Sequence, residues 1–217
     1  MTGQPEKLRD KAYAEFTRHL FQREIRPGQF VSQRELVALT GMPLGAIREL
    51  VPRLEVEGLI VTVPQRGMQI AHIDLNLIRE AFQFRLFLER EAIALFTAAA
   101  PDEMVAGLRR AHEEIVAEVT SAGATKALEA RAQAVDWGFH DTLIDALENQ
   151  IIAKAYRVNS VKIRLIGQEC IRIDGRVEGV MQQHLEVIAA IETRDPAQAV
   201  AALTRHIDNA RRLAVSM

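Results

Sequence analysis

Four side chains that can bind a metal ion interrupt apolar helix faces in the second half of the chain. Asp136 and His140 are one helical turn apart, so they project from the same face of one helix. His184 and His206 each interrupt an apolar stripe on a different helix. Because burying a polar group without a partner costs free energy, we expect these side chains to satisfy one another around a common ion.

Three imidazoles and one carboxylate suit a divalent first-row ion such as Zn²⁺ or Ni²⁺, and this donor set does not select among such ions. The alternative for each histidine is an ordinary hydrogen-bonded residue of the core. His112 illustrates it, because it shares a stripe with Val105 and Ile115 but has no acidic partner on that stripe. We therefore expect His112 to be a core histidine, and His19 and His72 to be surface residues.

Helices must position these four side chains, because few residues beyond position 74 favour strand and the apolar residues recur at helical spacing. Short breaks separate the periodic segments, so consecutive helices are expected to be antiparallel neighbours in a bundle of about six. The predicted helices span residues 75–99, 102–120, 124–147, 150–173, 175–193 and 196–215.

The first 72 residues show a different pattern. The pattern of apolar residues and turn residues predicts a helix over residues 7–25, a helix from Ser32, a turn at 41–43, a helix over about 44–57, and strands over 59–63 and 68–71. Ser32 and Glu35 have the spacing of a capping box, which marks the start of the second helix. Two helices joined by a turn and followed by a hairpin predict a winged helix-turn-helix, whose second helix lies in the DNA major groove.

The charge distribution agrees with this interpretation only weakly. Residues 1–72 carry ten Lys and Arg against eight Asp and Glu, whereas residues 73–217 carry 17 against 21. Because the excess is small, contacts to phosphate must come from local placement of arginines. The alternative for each arginine is a solvated surface side chain. The candidates are Arg34, Arg48, Arg53 and Arg66.

This region resembles the DNA-binding domain of GntR-family transcriptional regulators. The matching residues are Pro27-Gly28, Ser32 to Leu36, Ile47 to Glu49, Leu54 to Leu59, and Arg66-Gly67. The resemblance implies that Leu44, Gly45 and Gly67 join the arginines at the DNA surface. The chain departs from the family at Pro43-Leu44-Gly45, where Ser-Arg-Thr is usual. Since Leu44 cannot donate a hydrogen bond but can pack on a thymine methyl, we expect either weaker DNA binding or a different operator sequence.

The second half resembles the FCD domain, which is the ligand-binding domain of the FadR subfamily of GntR regulators. Asp136 and His140 match the Asp-x-x-x-His motif of that domain, and His184 and His206 match its two later histidines. The resemblance implies that these four residues hold a divalent metal ion and that a small organic acid is the effector. The length from residue 74 to 217, 144 residues, favours the shorter, VanR-like group.

Three further residues are candidates for binding the effector. Arg85 lies on the inward face of the first helix of the bundle and resembles a pocket arginine of the family. The alternative for Arg85 is a buried ion pair with Glu89, which is one turn further along. Asn159 and Arg164, on the fourth helix of the bundle, are weaker candidates for the same pocket.

Several classes of function are disfavoured by what the sequence lacks. It has no HExxH, GxSxG, P-loop or dinucleotide-binding motif, so we predict that the protein is not an enzyme. It has no apolar run of about 18 residues and no signal-peptide pattern, so we expect no membrane span. The single cysteine, Cys170, fits a reducing cytoplasm.

The sequence thus predicts a mainly α-helical protein, with a winged helix-turn-helix DNA-binding domain at residues 1–72 and an all-helical effector-binding and dimerisation domain at 73–217. The predicted function is that of a transcriptional regulator that binds double-stranded operator DNA as a homodimer, and the family resemblance implies that it is a repressor. Two alternatives remain open, namely a metal-containing interaction protein that does not bind DNA and a metal-dependent enzyme.

Overall fold

The computed structural model describes residues 8–171, 173 and 175–216 of the 217-residue chain. The chain divides into two compact units, one ending at Leu77 and one beginning at Ile78. The division falls within the first turn of a long helix, a few residues beyond the boundary that we predicted after residue 72. No helix in the described part of the chain is both long and apolar enough to cross a membrane.

The N-terminal unit has the predicted order of a winged helix-turn-helix. Its elements are α1 (Leu8–Phe21), β1 (Phe30–Val31), α2 (Gln33–Thr40), α3 (Leu44–Val56), β2 (Ile60–Val63) and β3 (Gly67–Ile70). The strands form one antiparallel sheet in the order β1-β3-β2. The sequence predicted only the β2-β3 hairpin, because a strand of two residues such as β1 leaves no alternating pattern to detect.

The capping box at the start of α2 is confirmed. The Ser32 hydroxyl accepts from the backbone N–H of Glu35 at 3.2 Å, and the Ser32 N–H donates to the Glu35 carboxylate at 2.6 Å. Gly41 ends the helix with a φ of 66°, a conformation that suits glycine. The turn into α3, the second helix of the motif, is therefore fixed by local chemistry at both ends of α2.

Two expectations for the start of the chain need correction. The first helix was predicted to reach residue 25, but α1 ends at Phe21 and Arg23 has a φ of 62°; the predicted start, residue 7, lies outside the described residues. His19 was expected at the surface, yet it is buried. Its Nδ1 atom lies 2.6 Å from the Glu24 carboxylate, so a charged partner just beyond the helix satisfies the buried ring.

The C-terminal unit contains the six predicted helices. They are α4 (Leu75–Ala99), α5 (Asp102–Ala122), α6 (Lys126–Asp145), α7 (Gln150–Ile166), α8 (Val177–Glu192) and α9 (Pro196–Val215). The fourth was predicted to reach residue 173, but α7 gives way at Gly167 to a π-helical segment, Gly167–Ile171, and residue 172 lies outside the described residues. Such π segments often mark functional sites.

Helix α8 lies at the centre of this unit and packs against α5, α6 and α9. Its inward face combines apolar residues such as Met181 and Ile188 with His184, all of them fully buried. Helix α8 contacts α6 and α9, which carry the other candidate ligands. The packing of these helices therefore brings polar residues from three inward faces close together.

Candidate functional site

The structure brings the four predicted metal ligands together. One ligand atom from each of Asp136, His140, His184 and His206 lies within 4.8 Å of the ligand atoms of the other three. Helix α6 supplies the first two residues, α8 the third and α9 the fourth. The three histidines are buried, whereas Asp136 retains some exposure.

Two distances within the cluster are close to those that a metal ion requires, and no two of the four ligand atoms are more than 4.8 Å apart. The Nε2 atoms of His184 and His206 are 3.1 Å apart, and Oδ1 of Asp136 lies 3.4 Å from Nε2 of His184. Four N and O ligands placed tetrahedrally at about 2.0–2.2 Å from an ion would be roughly 3.3 Å from one another. The side chains therefore need only small adjustments to coordinate an ion.

The other ring nitrogens of two of these histidines face protein acceptors. Nδ1 of His140 lies 2.7 Å from the carboxylate of Glu89, and Nδ1 of His206 lies 3.1 Å from Oε1 of Gln183. Because a carboxylate and an amide oxygen only accept, this network assigns the proton of each neutral ring to Nδ1. The Nε2 lone pairs of both rings are then directed into the cluster, the arrangement typical of metal-bound histidines.

The four side chains fit a metal ion, because buried ring nitrogens among them lack a donor within the described part of the chain. Nε2 of His140 is buried and has no hydrogen-bond partner among the described residues. His184 approaches Nε2 of His206 to 3.1 Å, although the Gln183 contact leaves that atom of His206 without a proton. A cation held between the rings would satisfy buried lone pairs that otherwise lack donors.

The electrostatics of the cluster favour neutral imidazoles. Burial lowers the pKa of His184 and of His206 well below the usual value, and the nearby His140 and Arg85 act in the same direction. Burial also raises the pKa of Asp136, against the opposing influence of His140 and Arg85. Neutral rings present lone pairs, so His184 and His206 are prepared to act as ligands at neutral pH.

Arg85 forms the buried ion pair with Glu89 that its sequence position left open, and its role toward an effector stays a prediction. Its Nε atom donates to Glu89 at 2.7 Å, and Glu89, which is fully buried, also accepts from the hydroxyl of Tyr156 at 2.8 Å. Burial alone would raise the pKa of Glu89, but Arg85 and His140 outweigh it and hold that pKa at about 2. Arg85 also lines a cavity, so its ion pair does not remove it from the candidate site.

The cavity, of about 90 Å³, opens beside the metal cluster and is lined by Asp136, His140 and His206 as well as Arg85. This volume exceeds the roughly 10–15 Å³ that one water requires, so the cavity can take a small organic molecule. Its wall combines these polar groups with aromatic rings, among them Trp137 and Tyr156.

Of the other two predicted effector residues, Arg164 lines the cavity and Asn159 does not. Arg164 lines the cavity, where its guanidinium lies 4.5 Å from the centre of the Trp137 ring and 2.8 Å from the Asp141 carboxylate. Asn159 is buried, but it is not among the residues lining the cavity. Its side-chain amide donates to the backbone carbonyl of Ala81 at 3.0 Å and so joins α7 to α4.

Some residues around the cluster were not identified from the sequence. Gln183 precedes His184 directly, and Tyr156 has the spacing of an ordinary aromatic core residue. His112 was expected to be a core histidine without an acidic partner; it is indeed buried, but its Nε2 atom lies 3.0 Å from Nδ1 of His184. Helical spacing shows which residues face inward, but not which of them meet across helices.

In the N-terminal unit, six of the seven predicted DNA-contact residues are exposed. Arg53 is the exception, because its guanidinium is 3.1 Å from Asp10 and 2.9 Å from Glu57 and lies 3.7 Å from the centre of the Tyr13 ring. These contacts hold the Arg53 side chain against α1 and Glu57 of its own unit. The exposed residues are Arg34, Leu44, Gly45, Arg48, Arg66 and Gly67.

Comparison with known proteins agrees with this architecture. The FCD domain family matches residues 80–209. The chain is 27% identical to the Nta operon transcriptional regulator of Aminobacter aminovorans, over 84% of this chain and 82% of that protein. It is 21% identical to the uncharacterised HTH-type transcriptional regulator YdhC of Bacillus subtilis (strain 168), over 91% and 86% of the two chains.

Solved structures share the fold over nearly the whole chain. McbR/YncC of E. coli superposes with a TM-score of 0.78 at 15% identity and covers 98% of this chain and 99% of its own. A structural-genomics GntR structure from Rhodococcus sp. RHA1 superposes with a TM-score of 0.76 at 16% identity, covering 96% and 97%. The chain therefore belongs to the FCD domain family, and it is a transcriptional regulator rather than an enzyme.

Proposed function

We propose that this regulator binds a palindromic operator as a homodimer and acts as a repressor, and that a small carboxylic acid bound at a divalent metal ion controls its affinity for DNA. The observation that carries the effector part of the proposal is the convergence of three buried imidazoles and Asp136 beside a cavity that also contains Arg85. Such a site offers a carboxylate two cationic partners.

The chemistry of the cavity supports a small acid as the ligand. A bound divalent ion would supply a Lewis acid that attracts a carboxylate oxygen. Arg85 would orient the acid, since a guanidinium has several N–H donors and only its Nε is used on Glu89 in the contacts described above. Trp137 and Tyr156 would shield the acid from water and favour a compact apolar body.

The N-terminal unit supports DNA as the partner. In a winged helix-turn-helix, the second helix of the motif enters the major groove and reads only a few base pairs, so two copies are needed for a specific site. Arg48 on α3, Arg34 on α2 and Arg66 at the wing are exposed and can reach phosphate or bases. Leu44 begins α3 with an exposed apolar side chain, which suits contact with a thymine methyl.

An exposed apolar face of α4 supports a homodimer. Phe84, Phe87 and Leu95 point outward from the same helix, and Phe87 is 80% exposed. Large apolar side chains at neighbouring surface positions usually mark a protein contact. We assign this face to a second copy of the chain, because a palindromic operator requires one.

The effector would act by binding one arrangement of the dimer more tightly than another. Coupling between an acid in the C-terminal unit and DNA at the N-terminal unit requires only this difference in affinity. Since the acid would contact α4 through Arg85 and α6 and α9 through the metal ligands, a shift among these helices is the expected response.

Fluorescence anisotropy on labelled DNA from upstream of the gene tests the proposal, beside an unrelated duplex and at two salt concentrations. We expect tight, salt-sensitive binding to the upstream DNA only, and a change in affinity when Zn²⁺ and a panel of small acids are added. Equal weak binding to both duplexes would favour an interaction protein that has lost operator binding, with the departure at Leu44 and Gly45 as the cause.

A pair of variants separates the metal site from the DNA surface. His184→Ala should abolish the response to metal and acid while leaving binding to DNA measurable. Gln182→Ala, which removes an exposed polar side chain from the same helix, is the matched control and should leave both properties unchanged. Normal metal content in His184→Ala would show that the assigned cluster is wrong.

A further inference from the structure

His112 lies between a backbone carbonyl and one of the candidate metal ligands. Its Nδ1 atom is 2.7 Å from the carbonyl oxygen of Leu108, one turn earlier on α5, and its Nε2 atom is 3.0 Å from Nδ1 of His184 on α8. His112 and His184 are both buried, so water cannot replace either contact. The three groups thus form a continuous chain of hydrogen bonds that ends at the metal cluster.

The direction of this chain follows from the chemistry of its first member. A carbonyl oxygen can only accept, so Nδ1 of His112 must carry a proton to donate to Leu108. Nε2 of a neutral His112 then has a lone pair and must accept from His184. The proton of His184 is therefore on Nδ1, and its Nε2 lone pair is directed toward Asp136 and His206.

We propose that His112 is a positioning residue that fixes the tautomer and orientation of His184, so that Nε2 of His184 is held ready to bind the metal. The inference rests on the proposed metal site and extends it to α5, a helix that contributes no ligand. His140 and His206 are oriented directly by Glu89 and Gln183. For His184, the orienting group is the His112 ring. The tautomer of that ring is fixed in turn by its hydrogen bond to the backbone carbonyl of Leu108.

Packing around the pair supports the same role. The ring of Phe139 stacks on His184 at 4.6 Å between ring centres and meets the edge of the His112 ring at 5.6 Å. One aromatic side chain therefore holds both imidazole planes. Rotation of either ring would disrupt this packing as well as the hydrogen bond between the rings.

Without His112, His184 has a competing arrangement. A proton on Nε2 of His184 could be donated to Asp136, 3.4 Å away, or to His206, 3.1 Å away. Either bond would occupy the atom that must bind the metal and one of its fellow ligands. The acceptor on His112 removes this competition, because it keeps the proton on the opposite side of the ring.

Two variants whose new side chains are similar in length test the role of His112. In His112→Gln the amide oxygen can still accept from His184, whereas His112→Met fills similar space without a strong acceptor. Titration of the metal-free proteins with Co²⁺ should give binding about 10–100-fold weaker for His112→Met and within about threefold of the wild type for His112→Gln. Equal Co²⁺ affinity in His112→Met and the wild type would overturn the proposal.

A second measurement needs no metal. Long-range ¹H–¹⁵N correlation spectra of the metal-free wild type report which ring nitrogen of His184 is protonated. We expect the Nδ1–H tautomer in the wild type and in His112→Gln, and a substantial Nε2–H population in His112→Met. An Nε2–H tautomer in the wild type would overturn the proposal even if the Met variant failed to fold.

The two measurements separate this inference from the proposed function. If the wild type bound no Co²⁺, the proposed metal site would fail, and with it the purpose assigned to His112. The spectrum of the metal-free protein would still decide whether His112 sets the tautomer of His184. If the wild type bound Co²⁺ but showed the Nε2–H tautomer, only the role of His112 would fail.

Discussion

Glu89 accepts a hydrogen bond of 2.7 Å from Nδ1 of His140, across the interface between α4 and α6. The other oxygen of the same carboxylate accepts from Arg85 at 2.7 Å. One buried carboxylate thus joins a candidate metal ligand to the candidate effector arginine. A change in either contact alters the charge and geometry that the other experiences, so Glu89 would be a direct physical route between the proposed metal ion and the proposed acid.

Replacement of Glu89 by Gln should damage both stability and metal binding. The amide removes the negative charge opposite Arg85 and places N–H groups where only acceptors fit. Removal of one partner from a buried ion pair typically costs about 3–5 kcal/mol, and removal of the partner of a ligand histidine weakens metal binding about 10–100-fold. Urea unfolding and Co²⁺ titration measure the two effects.

The same substitution at Glu91 is the control for Glu89. Glu91 is exposed and lies two residues further along α4, so Glu91→Gln should change stability by less than about 0.5 kcal/mol. If Glu89→Gln unfolded at the same urea concentration as Glu91→Gln, the hydrogen bonds assigned to Glu89 would not form in solution.

The stability of the metal-free protein should fall as the pH is lowered from 7 to 5. His184 and His206 have depressed pKa values in the folded state because they are buried. The unfolded chain therefore binds more protons below about pH 6.5, and each histidine costs up to about 1.4 kcal/mol of stability per pH unit there. Glu89, with a pKa of about 2, adds its own loss only below about pH 4.5.

Urea unfolding in the presence of a chelator, at several pH values between 5 and 7.5, measures this dependence. His206→Gln should show a shallower slope than the wild type, because one buried titratable ring is gone. A wild-type slope no steeper than that of His206→Gln would show that His206 does not stay neutral in the folded protein.

Much of the architecture and the inward placement of the four candidate ligands could be predicted from the sequence, for identifiable reasons. The cap at Ser32, the glycine at 41 and the proline at 196 mark helix ends through local chemistry that does not depend on distant residues. The ligands were detectable because each polar residue interrupts an otherwise regular apolar stripe.

The hydrogen bonds that support the ligands could not be predicted in the same way. His112 and His184 are 72 residues apart, and their contact depends on how α5 and α8 are aligned along their length. Glu89 and Tyr156 are 67 residues apart and meet only after α4 and α7 pack. Periodicity gives the inward face of each helix but contains no information about the relative axial positions of two helices.

Arg48 and Arg53 should respond differently to substitution by alanine. Arg48 is exposed on α3, and if it neutralises a phosphate, Arg48→Ala should weaken binding to all DNA sequences and reduce the slope of log K against log salt by about one. Arg53 is held by Asp10, Glu57 and Tyr13, so Arg53→Ala should lower stability by about 1 kcal/mol and leave the salt slope unchanged.

Anisotropy titrations at several salt concentrations, together with thermal melts, distinguish the two variants. A reduced salt slope in Arg53→Ala would contradict the ion pairs assigned to Arg53.

The oligomeric state should depend on the apolar face of α4. Phe87 is 80% exposed within one copy of the chain, so Phe87→Glu introduces a charge without disturbing the core of that copy. If this face joins two copies, the variant must bury that charge on association, and dimers should dissociate at concentrations where the wild type remains dimeric.

Sedimentation velocity over a range of concentrations tests the role of Phe87, with Gln182→Glu as the control because Gln182 is an exposed polar residue on a different helix, α8. A monomeric Phe87→Glu protein with a normal melting temperature should also lose its tight binding to the palindromic operator, since one recognition helix contacts only half of the site. If Phe87→Glu remained a dimer, the dimer contact would lie on another face. If the wild type sedimented as a monomer, there would be no basis for assigning this face to a second copy.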